Sequence, residues 1–140
     1  MTNRKLALIV KDQDPLTMAA SETVRHACQR MSERRVGAVL VTDASQRLVG
    51  IFTGRDAVRA LAEGNNPAET TLAAAMTANP DTIGPQRTAI DALNAMSDGG
   101  YRHLPIVAEG KILGVVSRGD FKGLELDNLE TETYLWERIG

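Results

Sequence analysis

The chain has 140 residues, 43% of them hydrophobic and 24% charged, with a formal net charge of -2. That balance fits a folded globular chain rather than a disordered one, and the slight negative charge argues against a nucleic-acid or anionic-membrane surface. A single cysteine excludes an internal disulfide framework, and the apolar run at residues 6–10 is too short for a secretory h-region or a membrane span, so a reducing cytoplasm is the expected home.

In chain order, residues 16–18 after Pro15 predict a short strand. Ser21 is the expected cap of a helix whose apolar positions Val24, Ala27, Cys28 and Met31 follow the i, i+3, i+4, i+7 spacing. Cys28 reads there as a buried core thiol, and Met31 needs no explanation beyond the same stripe. Residues 37–42 and 48–53 follow as strands joined by a polar turn at 43–46. A second helix over about 56–63 stops at Gly64, with Asn65, Asn66 and Pro67 after it. Residues 65–71 form a linker, and 72–76 a short helix.

The pattern then returns. A shift of 65 residues lays Asp14-Pro15-Leu16-Thr17-Met18 over Asn79-Pro80-Asp81-Thr82-Ile83, Thr23 over Thr88, Ala27 over Ala92 and Met31-Ser32 over Met96-Ser97. From Arg47 onward the shift is 64, so one residue is lost near a turn, where length changes are tolerated. The second copy predicts a strand at Thr82-Ile83, a helix over about 87–97 with the stripe Ala89, Ala92, Leu93 and Met96, strands at 102–107 and 112–117, and a helix from about Asp120. Each copy is β-α-β-β-α, and the fold class is α+β. The expected organisation is a first repeat over 1–67 including the N-terminal segment, a second over 68–124, and an acidic helical tail over 125–140. In that tail Leu126, Leu129, Trp136 and Ile139 lie near helical spacing, a side to pack on the body or on a partner chain.

Each copy closes on the same short motif. Gly50-Ile51-Phe52-Thr53-Gly54-Arg55-Asp56 comes back as Gly114-Val115-Val116-Ser117-Arg118-Gly119-Asp120. Two roles fit Thr53-x-x-Asp56 and Ser117-x-x-Asp120. As capping boxes, the hydroxyl accepts from a helix amide and the carboxylate returns to the N-cap amide. As a ligand site, the helix start offers amides to an anion, the hydroxyl bonds a ribose or phosphate oxygen, and the carboxylate accepts from two vicinal ribose hydroxyls.

The ordered combination is more specific than either motif. Two such repeats, each closing on Gly-apolar-apolar-Ser/Thr-x-x-Asp, with Arg102-His103-Leu104-Pro105-Ile106-Val107 in the preceding strand, resemble a tandem pair of CBS (cystathionine-β-synthase type) domains over residues 10–124. The resemblance implies repeats related by pseudo-two-fold symmetry and a regulatory module with no required cofactor. Its ligand would be an adenosine compound such as AMP, ADP, ATP or S-adenosylmethionine, held in clefts between the repeats. It further implies that Asp56 and Asp120 hold ribose hydroxyls and that Thr53 and Ser117 hold ribose or phosphate oxygens. Thr17-Met18 and Thr82-Ile83 would line adenine pockets, and Arg102 and His103 would face phosphate, with Pro105, Arg55 and Arg118 beside them.

The copies also differ. The first has Val36-Gly37-Ala38-Val39-Leu40 where the second has Tyr101-Arg102-His103-Leu104-Pro105, and Arg118 follows Ser117 by one residue where Arg55 follows Thr53 by two. The Asp120 copy is therefore expected to be the more basic and the better phosphate site. Arg34 and Arg35 read as solvated at a helix end. The resemblance also implies a homodimer through helical faces and a protein effector in trans, with no nucleic-acid or membrane partner. A structural dimerisation module with empty clefts is the alternative. No catalytic constellation marks an enzyme: His103 has no nucleophile at a recognisable spacing, His26 reads as solvent-facing, and two lone histidines make no metal site.

Overall fold

The computed structural model describes residues 3–121. The expected tail helix at 125–140, and any helix continuing from Asp120, lie outside the described residues. Within them the chain forms two compact units, residues 14–81 with 109–112, and residues 3–13 with 82–108 and 113–121.

The first unit is built on a four-stranded sheet in the order β1-β2-β3-β4. Strand β1 (Thr17–Ala19) runs parallel to β2 (Ala38–Thr42), which pairs antiparallel with β3 (Leu48–Thr53), and β3 pairs antiparallel with β4 (Thr77–Ala78). Strand β2 is buried at every position, as its unbroken run Ala38-Val39-Leu40-Val41-Thr42 requires of a central strand covered on both faces. Helices α2 (Val24–Arg34) and α3 (Gly54–Ala62) and the one-turn α4 (Leu72–Ala75) belong to the same unit. Its core joins Met18, Val24, Ala27, Met31, Val39, Val41, Phe52 and Leu72.

Two expectations change here. The cap of α2 is Thr23, whose hydroxyl accepts from the His26 amide at 3.1 Å, because it directly precedes the first helical residue; Ser21 lies in the turn before it. Cys28 is half-buried at the edge of the core rather than inside it, and burial raises its thiol pKa.

The second unit holds α1 (Leu6–Ile9), α5 (Ala89–Gly99), β5 (His103–Ala108) and all but the first two residues of β6 (Lys111–Ser117), then one 3-10 turn, Arg118–Asp120. Strands β5 and β6 pair through a two-residue turn in which Glu109 and Gly110 both have positive φ, 52° and 78°, a tight connection that only antiparallel strands can use. The strand expected at Thr82-Ile83 shrinks to one parallel bridge, Ile83 to Ile106. Its predecessor in the repeat differs: exposed Asp81 stands where the first copy has Leu16, only 5% exposed, so the apolar side chain that leads β1 into the core has no counterpart here. The core joins Leu6, Val10, Ala92, Leu93, Met96, Leu104, Ile106, Val116 and Phe121.

The two cores draw on residues from both sides of positions 67 and 68. Leu6 and Val10 of the N-terminal segment are buried with residues of the second repeat. Leu72 is buried with residues of the first. The same joint is made twice at a spacing of 66 residues. Leu6 N donates to Arg87 O and Ala7 N to Pro85 O, each at 2.9 Å; Leu72 N donates to Glu22 O at 2.8 Å and Ala73 N to Ala20 O at 3.0 Å. In return each leading segment supplies acceptors to the open first turn of the helix beside it. Ala89 N reaches Arg4 O at 2.7 Å and Ile90 N reaches Asn3 Oδ1 at 3.0 Å, while Val24 N reaches Thr70 O at 2.9 Å and Arg25 N reaches Pro67 O at 3.0 Å.

The glycine that opens each repeated motif makes room for this arrangement. A Cβ on Gly50 would lie 2.3 Å from the Met76 sulfur, and one on Gly114 would lie 2.7 Å from Val10 Cβ. Both contacts come from the segment leading the other repeat.

Candidate functional site

Both boxes form, and their carboxylates end in different surroundings. In the first, Thr53 is the N-cap of α3 and its hydroxyl accepts from Asp56 N at 3.4 Å. Asp56 Oδ2 accepts from Thr53 N at 3.0 Å and from Thr53 Oγ1 at 3.2 Å. Its other oxygen, Oδ1, accepts from Arg59 Nη1 at 3.0 Å and Thr77 Oγ1 at 3.2 Å. Asp56 is only 3% exposed, and all its acceptor directions face donors of the chain itself.

In the second box, Asp120 Oδ2 accepts from Ser117 N at 2.7 Å and Ser117 Oγ at 3.3 Å. Among the described residues no donor is assigned to Oδ1, and the side chain is half-exposed. Sequence accounts for the difference: shifting by the same repeat offsets, Gly123 stands at the place of Arg59 and Lys11 at the place of Thr77. Arg4 donates from Nη2 to the Asp120 carbonyl at 3.2 Å, which brings a cation to this box from the far end of the chain. No local pattern links residues 4 and 120; only the packing of α1 in this unit does so.

His103 opens β5 and is half-buried. Burial holds its imidazole below the ordinary histidine pKa, the Asp120 charge opposes that, and the Arg102 charge adds to it. Arg102 and Arg118 are exposed. Ile83 and Pro105 are joined by the backbone, Ile83 N donating to Pro105 O at 3.1 Å, with Thr82 exposed beside them. Thus Ser117, Arg118, Asp120, Arg102, His103, Pro105, Thr82 and Ile83 all belong to the second unit, and Thr53, Arg55, Asp56, Thr17 and Met18 to the first.

Within the first unit the expected residues are not equivalent. Met18 turns its side chain into the core, at 8% exposure, whereas Thr17 is exposed and lines a cavity of about 570 Å³ with Thr42, Ser45, Arg47 and Lys111. Arg47 and Lys111 flank hairpin turns and carried no sequence signal beyond loop charge. His26 is exposed as expected and pairs with Glu22.

A third box, Thr88-x-x-Asp91 at the start of α5, has the same reciprocal bonds, Asp91 N to Thr88 Oγ1 at 3.3 Å and Thr88 N to Asp91 Oδ2 at 3.0 Å. Arg87 bonds this carboxylate at 3.1 Å and holds it below the usual Asp pKa. The box geometry by itself is therefore that of a cap; what separates Asp120 is a carboxylate oxygen with no donor among the described residues and a charge that acts on His103. Among the described residues, no group of three or more His, Cys, Asp or Glu is placed to hold a metal ion, and no helix is long and apolar enough to cross a membrane.

Comparison with known proteins agrees with this reading of the repeats. A family model described as CBS domain matches residues 9–63 and again 72–126. Over 102 residues the chain is 44% identical to the CBS domain-containing protein CBSCBSPB2 of Arabidopsis thaliana, covering 72% of this chain and 19% of that protein. The chain thus spans about a fifth of the length of the plant relatives it matches. A CBS domain protein from Pyrobaculum aerophilum, solved in complex with AMP, has a TM-score of 0.81 at 23% identity, covering 91% of this chain and 98% of that one. The CBS domain pair of protein MJ0100, solved with 5-methylthioadenosine and S-adenosyl-L-methionine, has a TM-score of 0.76 at 22% identity, covering 83% and 90%. The α+β architecture, the two repeats and the double match to the family model converge: the chain belongs to the CBS domain family and carries two of its domains in tandem.

Proposed function

We propose that this chain is a regulatory, non-catalytic module that binds an adenosine-containing ligand at the Ser117–Asp120 box and passes the occupied state to a partner in trans. The observation that carries the reading is the Asp120 carboxylate, half-exposed, fixed through Oδ2 by Ser117 and left with Oδ1 unclaimed among the described residues. A vicinal diol donates two hydrogen bonds, which is the complement of such a carboxylate. Arg102 and Arg118 supply exposed positive charge for a phosphate or the equivalent polar end, and the neutral His103 imidazole supplies one donor and one acceptor. The AMP and S-adenosyl-L-methionine complexes of the two structural neighbours support the same ligand class.

AMP, ADP, ATP and S-adenosylmethionine are the ligands to try. Binding changes the conformational balance only by the difference in affinity between states, so the output is read through a homodimer contact or a second protein. The exposed side chains of Val58 and Leu61 on α3, 67% and 61% accessible, give such a contact an apolar surface.

Calorimetric titration of the full chain with AMP, ATP and S-adenosylmethionine tests the reading. Saturable binding of at least one, weakened tenfold or more by Asp120→Asn, is expected. Flat heats with all three at millimolar ligand would leave the alternative, a structural module whose boxes are caps only, which the Thr88–Asp91 box already exemplifies.

A further inference from the structure

We infer that the first box is a latch rather than a second binding site, so that the chain takes one ligand, at the second box; the stoichiometric half of this rests on the proposed function. Asp56 is 3% exposed and already accepts four hydrogen bonds from Thr53, Arg59 and Thr77. A ribose entering there would have to displace the Arg59 and Thr77 donors, replacing the Arg59 ion pair with a bond from a neutral hydroxyl. At Asp120 the incoming diol displaces no described protein donor. The two copies therefore differ in what the ligand must break, and the sequence pattern agrees: Arg59 and Thr77 are replaced by Gly123 and Lys11.

What Asp56 does instead follows from where its partners sit. It lies on α3, and Thr77 lies on β4, a strand of only two residues that pairs with β3 through Gly50–Ala78 and Ile51–Thr77. So short a strand has little ladder of its own to hold it. The carboxylate ties it to α3 through a part-buried side-chain bond from exposed Thr77, while Arg59 balances the charge. Asp56 thus fastens the segment joining the two repeats to the first unit.

The test uses the full chain and three variants. For the parent, calorimetry with the tightest ligand among AMP, ATP and S-adenosylmethionine should give one site per chain. Thr77→Val and Asp56→Asn should keep affinity within about twofold but lower the melting temperature, by about 3 °C and about 5–10 °C respectively. Both should also speed hydrogen exchange at the Asn79 amide, which donates to Val49 O at 3.0 Å beside β4. Asp120→Asn should do the reverse, a tenfold or greater loss of affinity with little change in melting or in exchange at Asn79. Two sites per chain, or a tenfold loss of affinity in Thr77→Val, overturns the inference. So does unchanged melting and exchange in both latch variants. If Asp56→Asn does not fold, Thr77→Val alone decides. If the parent binds none of the ligands, the proposed function fails while the latch still stands or falls on melting and exchange.

Discussion

Replacing Leu6 by alanine measures how far the N-terminal segment belongs to the second core. Leu6 has no exposed surface and packs with Leu93, Ile106 and Val116 in one cluster. Removing three buried carbons costs about 2.4 kcal/mol at about 0.8 kcal/mol each. A pocket that collapses only in part adds about 1 kcal/mol, for a total of about 3 kcal/mol. With a urea m-value of about 2 kcal/mol/M, the unfolding midpoint should fall by about 1.5 M. Leu8, on the same four-residue helix but 59% exposed, is the internal control; Leu8→Ala should stay within about 0.5 kcal/mol. Far-UV circular dichroism against urea reads both, and Leu72→Ala should match Leu6→Ala because it fills the equivalent place in the first unit. A Leu6→Ala midpoint no lower than that of Leu8→Ala would refute the exchange of leading segments.

Arg35 ends α2 in the left-handed region, φ 55°, where the second copy has Gly100 at φ 72°. Arg35→Gly should therefore stabilise the chain by about 0.5–1 kcal/mol and Gly100→Ala should destabilise it by a similar amount, both read by thermal melting. Gly114→Ala should cost more than Gly50→Ala, about 3 against about 1 kcal/mol, because the obstructing Val10 is β-branched and buried whereas the Met76 thioether can swing aside. Equal melting losses would contradict that assignment. His103 has a folded pKa below its unfolded one, so the unfolded chain binds the extra proton and stability rises with pH between the two values. The contribution is complete above about pH 6.5 and falls away below it. Melting temperatures from pH 5 to 8 should show this acid limb in the parent and a flatter one in His103→Gln.

Much of this was open to a reader of the sequence, and the rest was hidden for reasons of distance. Strand β3 matches its expected residues because an apolar run between a polar turn and a capping threonine leaves few alternatives. The Arg59–Asp56 pair was also within reach, since residues three apart share a helix face. Thr77 was not, because its bond to Asp56 spans 21 residues and depends on β4 lying against Gly50. The role of α1 was hidden for a similar reason: four residues carry no periodic signal, and which core they join is decided by backbone partners at Pro85 and Arg87. At α2, two hydroxyl residues competed for one cap, and only the position of the first helical turn chose Thr23. The contrast between Asp56 and Asp120 was visible in outline as a basic second copy, but not as one carboxylate with both oxygens bonded and one with a single oxygen bonded among the described residues.

The packing of α1 also sets an order of events on the ribosome. Among the described residues the first core and the side chains packed on it lie between Leu16 and Met76, so that core can close while the rest of the chain is still being made. Leu6 and Val10 cannot find their partners Val116 and Phe121 until more than a hundred further residues have been added. At about 5–20 residues per second that wait is on the order of ten seconds. During it an apolar segment stays exposed, available to a chaperone or to another nascent chain. Leu6 and Val10 are among the first core residues synthesised and among the last to be buried.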